Sequence, residues 1–200
     1  MRGLLATRLL GGAILAVLAG AAAWALELDV TGIQSAFRMA KSPQAERTRF
    51  HAPYLLPGTV DTIERLEVIT EFRRLVLLTE ERLAAGDWSF SSDTRAAATA
   101  LQPWKDMVAI RARIRFHPHN LYTWIPPITI LIGAGPKVHE PTKLTSVPEY
   151  RIGTDPRVLV GVVVEAGFDA RAVGPRMATV VVRGPGTAQV QRTVDLGSLL

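Results

Sequence analysis

The chain has 200 residues, of which 48% are hydrophobic and 20% charged, which is typical of a globular protein with one sizeable core. It contains no cysteine, which excludes disulfide bonds, thiolate metal sites and cysteine nucleophiles. The formal net charge is +5, but only four of the 23 basic residues are lysines, and this arginine bias is also what GC-rich coding produces. Nucleic acid is therefore not an expected partner.

The amino terminus has the features of a secretory signal. A positively charged start precedes an apolar run over 9–22, and an A-x-A cleavage pattern follows at 23–25. This order predicts that residues 1–25 form a signal peptide and that the mature protein is periplasmic or secreted. In the alternative, residues 9–26 are retained as a membrane anchor with the domain outside the cytoplasm, because 18 residues are at the short limit of a span.

Residues 26–200 are predicted to form a single globular domain whose first part, 26–106, is helical or irregular. A short helix is expected from Thr31 to Ala40, with Thr31 as its cap. Helical spacing places four apolar residues on one face, namely Ile33, Ala36, Phe37 and Ala40. The prolines between Ser42 and Gly58 predict an irregular connector.

One long helix is predicted from Asp61 to Ala85, because Asp61 can cap its start and Gly86 follows its end. The rival interpretation is a strand over 64–78 followed by a short helical turn, since the first part of this segment also alternates. A further helix is expected from Thr94 to Gln102, capped by Asp93.

The clearest strand pattern covers 107–116. Apolar residues alternate there with Arg111, Arg113 and Arg115. Three unpaired guanidinium groups cannot be buried, so the arginine side must face water or a partner. His117–Asn120 is predicted to turn the chain into a descending strand over 121–132 that Pro126 and Pro127 interrupt, which would make a central hairpin.

The remaining pattern is rich in strands. A loop is expected from Gly133 to Val147, followed by strands over 158–164, 177–182 and 188–196 that are joined by tight turns. Such connections favour antiparallel pairing. The predicted fold class is mainly β (α+β). Its β-rich part, 107–200, is expected to be an antiparallel, β-sandwich-like unit with two or three helices packed at one side.

Two groups of residues are candidates for a binding surface. Tyr122 and Trp124 lie two residues apart and would share one side of a strand, where they could stack on sugars or anchor a protein partner; they could equally seal one end of the core. The arginines at 111, 113 and 115 would form a positive stripe that could meet an acidic partner or phosphate headgroups, or could simply be solvated.

A metal site is the alternative chemistry. His117 and His119 have a spacing that can chelate a metal in an extended segment, and His139 or Glu140 could supply a third ligand. The neighbouring Pro118 and Asn120 equally predict an ordinary solvated turn.

We therefore predict an exported, non-catalytic binding or accessory module of the cell envelope, possibly a subunit of a larger assembly. Its expected partner is another envelope protein, and no cofactor is expected. The alternative is an exported metal-dependent hydrolase that uses His117 and His119. No other hydrolase, nucleotide or dinucleotide motif occurs in the sequence.

Overall fold

The computed structural model describes residues 28–58, 62–153 and 158–199. The predicted signal peptide, or retained anchor, lies outside the described residues. The described α-helices are α1 (Val30–Ala40), α2 (Gln44–His51), α3 (Glu71–Ala84), α4 (Thr94–Leu101) and α5 (Ala170–Val173). None of these helices combines the length and the apolarity that crossing a bilayer requires.

The described strands form two antiparallel sheets. They are β1 (Leu55–Pro57), β2 (Ile63–Ile69), β3 (Met107–Arg115), β4 (Thr129–Ala134), β5 (Lys137–His139), β6 (Lys143–Tyr150), β7 (Leu159–Asp169), β8 (Met177–Arg183) and β9 (Gln189–Asp195). One sheet has the order β1-β2-β3-β7-β6 and the other β5-β4-β8-β9. The α+β class with antiparallel sheets is thereby confirmed, and the arrangement is consistent with a sandwich-like fold.

The two sheets contribute to one hydrophobic core. Alternate residues of the central strands point into it, as Ile110 and Val164 do from the five-stranded sheet and Ile132 and Val180 do from the four-stranded sheet. The residues that alternate with these core residues point to the opposite side of the five-stranded sheet, which we call the outer face. Arg192 of β9 also donates to the carbonyl of Pro57 in β1 at 2.7 Å, which links the two sheets at one side.

The helices enclose a second, smaller core. The predicted apolar stripe of α1 is buried there against α3 and α4, and the rings of Phe37 and Phe90 meet edge to face at 6.1 Å. The α1 cap is Asp29, whose carboxylate accepts from the amide of Gly32, so Thr31 was the wrong cap. Asp93 caps α4 as predicted, by accepting from two amides of its first turn.

The single helix predicted from Asp61 to Ala85 is wrong. Residues 63–69 are strand β2, which pairs with β1 and β3, and only the rest is helix. Thr70 separates the two, because its hydroxyl accepts from the amide of Arg73 as a helix cap. The rival strand over 64–78 was also too long. The predicted cap, Asp61, lies outside the described residues.

The connector predicted over 42–58 contains helix α2. No residue of this helix is buried, so its sequence has no apolar periodicity that could reveal it. Tyr54, which follows it, is buried in the main core as an anchor.

The predicted central hairpin is wrong. Strand β3 pairs with β2 and β7, whereas β4 belongs to the other sheet. Residues 121–128 carry no strand, and the adjacent prolines at 126 and 127 cannot donate to a ladder. The segment crosses from one sheet to the other instead. The loop predicted from Gly133 to Val147 is also wrong, since it contains β5 and the start of β6.

Candidate binding surface

Four arginines lie together on the outer face of the five-stranded sheet. Arg111, Arg113 and Arg115 come from β3, and Arg65 lies directly opposite Arg113 on β2. We call this group the arginine face. Like charges that face each other across neighbouring strands destabilise a sheet, so such a group requires carboxylates between its members.

Glutamates of three strands, β2, β6 and β7, supply those carboxylates. Arg111 Nε donates to Glu165 at 2.9 Å, and Arg65 Nε lies 2.8 Å from Glu67. At the other end of β3, Arg113 lies 3.0 Å from Glu149 and Arg115 lies 2.6 Å from Glu64. The pairs hold the guanidinium groups in fixed positions, although each exposed pair stabilises the fold by only about 0.2–1 kcal/mol.

The arginine side chains of this face are more exposed than the glutamate side chains that pair with them. The Arg65 side chain is 54% exposed and its partner Glu67 12%, while Arg115 is 65% exposed and Glu64 28%. The Arg111 side chain is likewise more exposed than that of its partner Glu165. A molecule that approaches this face therefore has more access to the arginine side chains than to the glutamates that pair with them.

The arginine face borders a shallow hollow of about 410 Å³. Val147 and Val163 line the hollow beside the arginines, so apolar and cationic surfaces lie side by side. A second hollow of about 390 Å³ shares Arg111 and reaches Trp104. The Arg74 guanidinium lies 3.8 Å from the centre of the Trp104 ring, and Lys143 Nζ lies 3.9 Å from it.

Buried charges beneath this surface connect it to helix α3. Arg73 donates to Glu67 at 2.8 Å, and Arg74 donates to Glu165, the carboxylate that also binds Arg111. Burial lowers the pKa values of both α3 guanidinium groups from their usual range, and the adjacent carboxylates oppose that effect. The helix therefore fixes the two glutamates around which the arginine face is built.

The structure separates the two aromatic candidates. Tyr122 packs against the main core, where its ring meets that of Phe116 at 5.1 Å in an edge-to-face contact, whereas Trp124 is exposed. They do not share a strand side, because this segment is not a strand. Only Trp124 is available at the surface to a partner.

The histidine candidates are only partly brought together. The rings of His117 and His119 lie 4.8 Å apart, and His117 Nδ1 accepts from the His119 amide at 3.3 Å. His139 lies on β5 in the other sheet, with Glu140 directly after it. Across residues 28–58, 62–153 and 158–199, no three histidine, aspartate or glutamate side chains are grouped so that they could hold a metal ion.

Sequence reasoning missed a cavity of about 330 Å³ between the main core and the helical layer. Its lining is mostly apolar, with Phe50, Phe72 and Leu199 among its walls, and includes the carboxyl group of Glu71. Glu71 accepts from the backbone amide of Asp106 at 2.6 Å, and burial raises its pKa. Asp106 has a φ of 58°, in the left-handed region, and no sequence pattern pointed to this contact.

Glu64, Glu67 and Glu71 all lie within the single helix predicted from Asp61 to Ala85, but the structure divides them between two elements. The first two belong to β2 and bind arginines of the sheet, and only Glu71 belongs to α3. The glutamates that complete the arginine face could therefore be identified only after the strand pairing was known. Comparison with protein-family models, with curated proteins and with solved structures finds no match to this chain.

Proposed function

We propose that this protein is an exported, non-catalytic binding module of the cell envelope whose arginine face binds an acidic segment of another envelope protein. The amino-terminal pattern supports export, because a charged start, an apolar run and a small-residue cleavage pattern occur in that order. The location in the cell envelope and the identity of the partner as a protein are both parts of this proposal.

The observation that carries the proposal is the greater exposure of the arginines than of the glutamates that hold them. Arginine presents five N–H donors in a planar fork, so a guanidinium group that pairs through one or two nitrogens keeps further donors for a partner. Because the glutamates already fix the side chains, a partner carboxylate would bind at a smaller loss of rotamer entropy. The neighbouring Val147 and Val163 add apolar area, which favours a protein segment over a free anion.

The proposal is tested by neutralising two exposed guanidinium groups. In the double variant Arg113→Gln/Arg115→Gln, we expect the partner that co-purifies with the wild-type chain from solubilised membranes to be lost. Arg183→Gln is the matched control, because Arg183 is an exposed arginine of the four-stranded sheet. Binding should also weaken as salt rises above about 0.1 M, where the Debye length is about 10 Å.

Retention of the same partner by the double variant and by the control, at equal melting temperatures, would contradict the proposal. Loss of the partner from both variants would also contradict it, because the binding would then not be specific to the arginine face.

A further inference from the structure

Strand β6 is the last strand of the five-stranded sheet on the side away from β1. Among residues 28–58, 62–153 and 158–199, only β7 pairs with it, so its second edge is open. Open edges are templates for pairing with another strand, and proteins usually protect them with charge. Here Leu144 is 52% exposed and Val147 64% exposed, so this edge carries apolar side chains between its charged residues, Lys143 and Glu149.

The sequence of β6 is complementary to itself in antiparallel orientation. When two copies of β6 pair about a two-fold axis at Ser146, Lys143 of one copy lies opposite Glu149 of the other. The symmetry generates this pair twice, once on each side of the axis. These positions lie on the outer face, and oppositely charged residues at facing positions stabilise antiparallel strands.

The apolar residues match in the same register. Leu144 of one copy faces Pro148 of the other on the inner side, and Thr145 faces Val147 on the outer side. Val147 of each copy then lies diagonally beside Val147 of the other, within reach of a cross-strand contact. Pro148 has no N–H to donate, which limits the ladder at each end but leaves its centre intact.

We infer that this chain forms a two-fold homodimer in which β6 of one copy pairs antiparallel with β6 of the other, centred on Ser146. The pairing joins two five-stranded sheets into one and places two arginine faces on the same side of the joined sheet. The dimer is inferred from the strand edge and not from the proposed function, although Glu149 also pairs with Arg113 and Val147 also borders the arginine face.

Introduced cysteines test the register directly, because the natural chain has none. In the full chain, Ser146→Cys should form a disulfide-linked dimer under mild oxidation, since facing residues of antiparallel strands have Cα atoms within disulfide range. Leu144→Cys is the register control, because the same pairing holds its two copies about 13 Å apart. Gln191→Cys is the edge control on β9.

Sedimentation of uncrosslinked protein provides an independent measurement. Lys143→Glu should raise the dimer dissociation constant at least about tenfold, because it creates two like-charged pairs. Adding Glu149→Lys should lower the constant again, but not fully to the wild-type value, because Glu149 also pairs with Arg113. A wild-type chain that is monomeric at all concentrations would overturn the inference. Equal crosslinking at positions 144, 146 and 191 would overturn it as well.

Discussion

The Arg73 guanidinium, only 1% exposed, donates to the Glu67 carboxylate at 2.8 Å and thereby ties helix α3 to the outer face of the five-stranded sheet. The same carboxylate accepts a second guanidinium, the exposed one of Arg65. Arg73 also donates to the Val68 carbonyl and lies 4.9 Å from the centre of the Tyr54 ring. One glutamate thus connects the interior of the protein to its candidate binding surface.

Because Glu67 pairs with one buried and one exposed arginine, removing Glu67 and removing the exposed arginine should lower the free energy of unfolding by different amounts. Glu67→Ala leaves the buried Arg73 charge without its carboxylate and should lower the free energy of unfolding by about 3–5 kcal/mol. Arg65→Ala removes only the exposed partner and should cost no more than about 1 kcal/mol. Urea denaturation measures both values, and equal small losses would show that the buried pair is not a structural connection.

The raised pKa of Glu71 predicts that the stability of the fold depends on pH. Burial raises its pKa in the folded state above the ordinary value of 4.5, so ionisation is easier in the unfolded chain. The resulting penalty on folding is absent well below pH 4.5, grows as pH rises from 4.5 to the folded-state pKa, and is constant above it. Glu71→Gln keeps an oxygen that can accept from Asp106.

We therefore expect the melting temperature of the wild type, relative to that of Glu71→Gln, to fall as pH rises from 4.5. A difference between the two proteins that stays constant across this range would show that burial does not shift the Glu71 pKa.

The shared core between the two sheets predicts the effect of truncating its side chains. Ile132 is fully buried on the four-stranded sheet, so Ile132→Ala should cost about 2–5 kcal/mol of unfolding free energy. Val138→Ala removes an exposed side chain on the neighbouring strand and should change it by less than about 0.5 kcal/mol. Similar effects of the two substitutions would contradict packing of the sheets on one core.

The histidine turn predicts a weak response to metal. Within the part of the chain that the structure describes, no third ligand joins the two imidazoles to make the three- or four-ligand set typical of zinc sites. Stoichiometric zinc should therefore leave the melting temperature of the wild type unchanged, and His117→Ala should respond in the same way. A rise in melting temperature that His117→Ala abolishes would support the metal-site alternative.

Strand β3 could be predicted from the sequence because its two sides differ completely, one apolar and one arginine-bearing. Strand β2 appeared only in the rival interpretation and with the wrong end, since its alternating residues lead into α3 without a proline or glycine, and the helical periodicity of α3 extends back into it. Pairing with β3 and the cap at Thr70 decide that boundary. These non-local contacts also place Glu67 and Glu165 beside Arg111, so the arginines were predictable but their carboxylates were not.

Site-specific photocrosslinking is the sharpest test of whether the arginine face binds another protein. A photoreactive residue at Val163 lies on β7 opposite Arg113, in the middle of the outer face. A matched probe at Gln191 lies on the exposed surface of the other sheet. We predict one crosslinked envelope protein from Val163 and none from Gln191, with the adduct lost in the Arg113→Gln/Arg115→Gln background. An adduct that forms equally from both positions, or persists without the two arginines, would contradict binding at the arginine face.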